Sequence, residues 1–337
     1  MVVSTTYLYP AEPKDEEFRL LTRLMQLGGR SPKTPAELGR LLEVVKGAID
    51  ASTSQDCDHS VWLYYRIAVP SWEQAAQAIP GIIWPIMDVL SRKALIHGWW
   101  WLYKQDLLGS AIRLRLFIPR HSVDEVDCCF IHAIAESEYQ VFSLVYEPEI
   151  HLFGGPEGIE TAHKFFCADS RFLARWAVLD ASVRDTIVPA GLSVALIIRL
   201  LSAAKLDSFE IWGFMEKLAA TRSAGSPADN ELLQYRKMLT MILPSPNAAF
   251  SVDYGKPSHL LVDYVEQVSA VGEELHRLYF SGRLGCGLRE ILVPLVLFHW
   301  NRVGFGQRMQ RNLSVSLAQA YRDAIGRSIS PNSVARG

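Results

Sequence analysis

Apolar positions change their spacing partway along this chain. Up to about residue 155 they alternate or run in short β-branched and aromatic blocks. From Pro156 to Ala324 they recur at helical spacing, with proline and glycine mainly at junctions. Val61 to Val69, VWLYYRIAV, predicts a buried strand. The segments GWWWLYKQ and SAIRLRLFI predict a hairpin about a short turn at Asp106 to Gly109, and Tyr139 to Tyr146 a further strand. Thr34-Pro35-Ala36-Glu37, Ser71-Trp72-Glu73-Gln74 and Ser122-Val123-Asp124-Glu125 carry helix-start signals, the first opening a helix to about Ala51 and the third one to about Glu136. The second half predicts helices over 156–167, 170–180, 190–204, 208–221, 228–243, 258–281, 287–303 and 313–325, with a loop at 223–230.

These elements define an α+β fold: an antiparallel-leaning sheet in the N-terminal half, 55–155, covered by a largely helical C-terminal half, 156–327. They are expected to form one domain over 1–327, followed by a disordered tail at 328–337. Period two puts Trp99, Trp101 and Tyr103 on one face of their strand. It also turns Arg113 and Arg115 together, away from Ile112, Leu114 and Leu116.

Charge and composition narrow the function by exclusion. With 34 Lys+Arg against 36 Asp+Glu the net charge is −2, too balanced for a phosphate-binding face, so no nucleic-acid partner is expected. No apolar run reaches the ~20 residues of a membrane span, and the start lacks a secretion signal, so a cytoplasmic, soluble protein without a membrane partner is expected. The five cysteines show neither a disulfide framework nor a zinc spacing. Nucleotide-loop, metalloprotease and serine-hydrolase patterns are absent. The expected chemistry uses side chains alone, with no cofactor and no metal.

Three clusters remain: Arg113-Leu114-Arg115-Leu116; Tyr146-Glu147-Pro148-Glu149 with Gly154-Gly155 and then Ala168-Asp169-Ser170; and Phe298-His299-Trp300-Asn301-Arg302. Their order and separation resemble the C-terminal glutamate-elimination domains of lantibiotic dehydratases and their free-standing thiopeptide relatives, over about Val61 to Tyr321. Aligned on those motifs, the elimination domains' strand histidine falls on Ala111, an arginine on Leu152 and the late-helix histidine on Leu297. Arg113, Arg115, Glu147, Asn301 and Arg302 are kept. Losing a charged anchor and a candidate base together argues against elimination.

The relatives that share the scaffold without those residues are the thiopeptide pyridine synthases, and His-Trp-Asn-Arg is similar to their form of the late-helix motif. The resemblance implies a formal [4+2] cycloaddition of two dehydroalanines in a leader-bearing, azole-containing precursor peptide, with loss of water and of the leader. The expected catalytic residues are His299, Arg302, Arg113, Arg115, Tyr103 and Glu147, with Tyr103, like Tyr64, a candidate proton donor to a carbonyl. Trp99, Trp101, Tyr64, Tyr146, Trp300 and Asn301 are expected to contact substrate. The sharpest form assigns proton transfer to His299, with Arg302 steadying the carbonyl oxygen; Phe at 299 then costs ~10²–10⁴-fold in turnover.

Plainer readings compete. Arg113 and Arg115 also suit the solvated face of an edge strand, His299 and Arg302 the carbonyl end of a helix, and the strand aromatics a core. At about 100° per residue His299 and Arg302 lie roughly 60° apart while Asn301 points nearly opposite, so they cannot share one pocket. The alternative functions are a glutamate-elimination subunit of a split dehydratase and a non-catalytic leader-binding module.

Overall fold

The computed structural model describes residues 60–179 apart from 136 and 138, then 189–222, 229–242 and 257–329. The expected helix over 34–51, most of the 223–230 loop and the tail beyond Ile329 lie outside the described residues.

Among the described residues four strands form one antiparallel sheet in the order β2-β3-β1-β4, where β1 is Ser60–Ala68, β2 Gly98–Asp106, β3 Gly109–Pro119 and β4 Val141–Leu144. The β2–β3 hairpin turns on Leu107 and Leu108, which sets Trp100 against Arg115 and Leu102 against Arg113. Beneath the turn, Arg66 donates to the carbonyls of Leu108 at 2.9 Å and Gly109 at 3.1 Å, and the Asp106 carboxylate accepts the Leu108 N–H. The last strand is shorter than predicted. Residues 145 and 146 leave the ladder, so Tyr146 sits in the segment after β4.

Both faces of the sheet are covered. One packs on α1, Trp72–Ala78, a π-helical turn at Ile79–Ile83, α2, Trp84–Arg92, and α3, Val123–Ala135, around Tyr65, Ile67, Ile112, Leu114 and Phe130. The other faces α4, Pro156–Ala177, and the helical layer beyond it. That layer comprises α5, Pro189–Ala203, α6, Ser208–Ala220, α7, Asp229–Ile242, α8, Pro257–Phe280, α9, Leu288–Val303, and α10, Gln307–Ile329. Helix α9 is its axis: Ile291, Leu292, Leu295, Val296 and Trp300 are fully buried, each apolar side chain contributing roughly 1.5–3 kcal/mol.

Two helix boundaries correct the sequence reading. The segments predicted as 156–167 and 170–180 are one continuous helix, α4, with Asp169 and Ser170 at its centre and fully buried. An Asp-Ser pair read locally is an N-cap; here both side chains are satisfied by distant partners, which removes the reason to break the helix. Likewise α10 opens at Gln307 rather than 313. Gln310 is buried against the Phe305 carbonyl and the Asn301 side chain, and Ser314 donates back to the Gln310 carbonyl. At the end of α9, Gly304 has φ of +85° and a Cβ there would stand 2.2 Å from the Trp72 ring, so the turn into α10 requires glycine.

Candidate functional site

Arg115 is the centre of the first candidate site. It lies on an inner strand and is 6% exposed, which corrects the solvated-edge reading of Arg113 and Arg115. Its guanidinium lies 4.1 Å from the Trp100 ring centroid, 4.5 Å from Tyr64 and 5.5 Å from Tyr146, and Nη1 donates to the Arg113 carbonyl at 3.0 Å. Burial lowers its pKa to about 10, so it stays charged at neutral pH. Three aromatic faces compensate a cation for which the described residues supply no carboxylate within ion-pair reach. Arg113 differs: Nη2 donates to Asp106 at 2.6 Å, and that hydrogen bond holds the Asp106 carboxyl below its ordinary range.

A cavity of about 180 Å³ opens beside Arg115, lined by Trp100, Arg113, Tyr146, Glu147, Glu149 and Asn301 among others. Buried N–H groups of three lining side chains, Nε1 of Trp100 and Nε of Arg113 and Arg115, have no acceptor among the described residues. At its wall the Tyr146 hydroxyl and His163 Nε2 are 2.7 Å apart, and Trp62 packs on the imidazole with centroids at 4.5 Å. Burial, then the Arg115 charge, push the His163 pKa down to about 4, and burial raises the Tyr146 hydroxyl well above the phenol range. The His163 ring is therefore neutral at pH 7.

That depression has a thermodynamic consequence with a fixed sign. The folded state resists protonation of His163 where the unfolded chain accepts it, so the stability it contributes is complete above pH 6.5 and is lost as pH falls towards 4. Urea unfolding should show on the order of 2–3 kcal/mol lost over that window, and a His163→Phe protein should lack this component. Equal pH dependence in the two proteins would show that His163 is not the titrating group.

A second cluster lies on the other side of Trp100 and Phe166. Asp169 accepts from Arg302 Nη1 at 2.6 Å and from the Tyr264 hydroxyl at 2.6 Å, and His299 Nδ1 lies 2.8 Å from it. His299 Nε2 is 3.0 Å from the Ser193 hydroxyl, which also accepts from Trp300 Nε1. Burial alone would raise the Asp169 carboxyl; His299, Arg302 and Tyr264 outweigh it and hold it at about 2. Arg302 Nε donates to the Trp101 carbonyl, and Ser170 Oγ accepts the Trp101 N–H, so α4 and α9 both clasp β2.

The predicted residues thus divide. Arg113, Arg115, Tyr146, Glu147 and Asn301 line the small cavity, with Tyr64 stacked on Arg115. His299, Arg302 and Trp101 line a separate cavity of about 930 Å³. Trp99 and Trp300 are core residues at 2% and 0% exposure, and Tyr103 packs edge-on against Trp72 and lines neither cavity. The substrate-contact expectation for Trp99 and Trp300 therefore gives way to packing. Trp100 and His163 were passed over in the sequence. Leu152 is half exposed on the turn before α4, and Leu297 packs against the helical core. Among the described residues no group of three or more His, Cys, Asp or Glu gathers to hold a metal ion, and no helix is long and apolar enough to cross a membrane.

The sheet, the covering helices and the arginine pair define the class. The family of lantibiotic biosynthesis dehydratase C-terminal regions matches residues 62–321, and the chain belongs to it. Three solved structures share the fold. The tRNA-dependent lantibiotic dehydratase MibB from Microbispora sp. 107891 is 15% identical with a TM-score of 0.58 over 79% of this chain, which spans only 28% of that enzyme. TsrL is 15% identical with a TM-score of 0.51, covering 82% of this chain and all of that one. TbtD, a pyridine synthase from thiomuracin biosynthesis, is 12% identical with a TM-score of 0.57, covering 79% of this chain and 99% of that one. No curated protein matches the chain.

Proposed function

We propose that this chain is a pyridine-forming cyclase, joining two dehydroalanines of a leader-bearing precursor peptide by a formal [4+2] cycloaddition without a cofactor. The observation that carries this reading is the small cavity, where three buried N–H donors, one on the Trp100 indole and one on each of the Arg113 and Arg115 guanidiniums, have no acceptor among the described residues and stand beside a tyrosine–imidazole pair. The reaction begins when an amide shifts its proton from nitrogen to oxygen to give the azadiene. Charge then develops on the oxygen, where donors already oriented and desolvated stabilise it most. The Tyr146 oxygen takes the amide proton as its own passes to His163 Nε2. The reverse transfer delivers a proton to the oxygen, so no proton is gained or lost. Glu147 and Glu149 lie at the open side of the cavity, suited to hold the peptide N–H groups.

This moves proton transfer from His299, both of whose ring nitrogens are already engaged, to Tyr146 and His163. Holding the two dehydroalanines together can supply roughly 7–11 kcal/mol of the barrier. Leu152 and Leu297, standing where elimination needs a cation and a base, disfavour glutamate elimination.

Mass spectrometry on a leader-bearing, dehydroalanine-containing peptide tests the reading. Macrocycle and released leader carboxamide are expected; free glutamate would indicate elimination, and unchanged substrate with tight leader binding a carrier module. Arg115→Lys keeps the charge but loses the planar group stacked on three rings. It should lower single-turnover rate by about 10²-fold, the cost of losing one preorganised donor. An unaltered rate would place the oxygen elsewhere.

A further inference from the structure

The larger cavity is not used by that chemistry. Its volume of about 930 Å³ lies at the upper end of the roughly 300–1,000 Å³ typical of small-molecule sites. Four aromatic residues, Trp72, Trp101, Phe172 and Trp176, line it together with aliphatic side chains of α5. Among the described residues no carboxylate and no ammonium group lines it; the charged side chain there is Arg302, already neutralised by Asp169 at 2.6 Å.

Two lining residues keep a buried N–H without an acceptor among the described residues, Nη2 of Arg302 and Nε1 of Trp101. Leaving a buried donor unmet is unfavourable, so an occupant that accepts from these groups binds preferentially. An anion would be set near the Asp169 carboxylate across one guanidinium and would surrender its hydration to apolar walls. A neutral acceptor carries neither penalty.

We infer that this cavity binds a flat, neutral heteroaromatic group bearing an sp² acceptor, its ring against the indoles and its ring nitrogen or carboxamide oxygen facing Arg302 and Trp101. Under the proposed function, on which this assignment of a natural ligand rests, such groups are the azoles of the precursor peptide. The cavity then holds a heterocycle of the substrate while the reacting amide occupies the small cavity. Arg302 forms the partition, its guanidinium 4.8 Å from the Phe166 ring and 5.8 Å from Trp100, both of which line the other side.

The test is equilibrium binding of 2-phenylthiazole-4-carboxamide to the full chain by calorimetry. Its carboxylate analogue and biphenyl, which lacks an acceptor, are titrated alongside. The carboxamide should bind at least 10-fold more tightly than either. Ala76→Trp, at an exposed position on the cavity lining, should abolish binding with thermal unfolding unchanged. Trp101→Phe should weaken it about 10-fold, and if that protein does not fold, Ala76→Trp alone decides. Carboxamide affinity that survives Ala76→Trp, equals that of the carboxylate, or is absent at millimolar concentration overturns the inference. Probe binding in a protein that releases no leader carboxamide overturns the cyclase reading alone. Normal cyclisation without probe binding overturns the cavity assignment alone.

Discussion

Tyr146→Phe should fold, bind leader peptide as before and lose ~10²–10⁴-fold in single-turnover rate, the range for a positioned acid–base group. The phenyl ring still packs at the Arg115 and Trp62 cluster, so cation and cavity keep their shape. What is lost is the oxygen 2.7 Å from His163 Nε2. His163→Gln, which retains a polar end but has no basic nitrogen to take up the tyrosine proton, should show a similar loss. His299→Phe separates the two assignments. If it lowers turnover only in proportion to lost stability while Tyr146→Phe removes activity outright, proton transfer belongs to the small cavity. A fully active Tyr146→Phe protein would refute the relay.

Asp169→Asn should cost about 3–5 kcal/mol of folding stability, the range for stranding one member of a buried ion pair. Arg302 would keep its charge with 0% side-chain exposure and no carboxylate against it, while Tyr264 and His299 would lose their shared charged acceptor. Urea denaturation would register this as a lower midpoint at unchanged slope. The double variant Asp169→Leu/Arg302→Met should be less damaged than the two single changes combined, since removing both charges leaves nothing buried and unpaired. A single-variant cost below about 1 kcal/mol would mean that water or rearrangement reaches Arg302, and the cluster would lose its standing as the joint between sheet and helices.

The hairpin was fully readable. Alternation fixes the faces of β2 and β3, and a two-residue turn fixes the register, so Trp100 opposite Arg115 follows by counting back from Leu107 and Leu108. The helical layer was readable from its period, apart from boundaries set by buried polar residues. Asp169 shows why those failed. Its partners come from positions 95 to 133 residues further along the chain, and no local pattern announces them. The pairing of Tyr146 with His163 was hidden for a related reason. The strand stops at Leu144, the chain turns through the glycines before α4, and only that turn brings the two side chains together. His299 and Arg302 were rightly placed close together and away from Asn301, because helical geometry decides that by itself.

The clasp on Trp101 also limits how this protein can associate with itself. Both backbone polar groups of that residue are taken, the N–H by Ser170 and the carbonyl by Arg302, so another strand cannot run alongside β2 at that point. The opposite margin is unlike it: β4 pairs with β1 alone among the described strands, and Leu144 at its end and Val145 just beyond are 42% and 79% exposed. Open-ended stacking of sheets needs two free margins on every copy. Where one margin is closed, strand-to-strand pairing cannot extend past two copies.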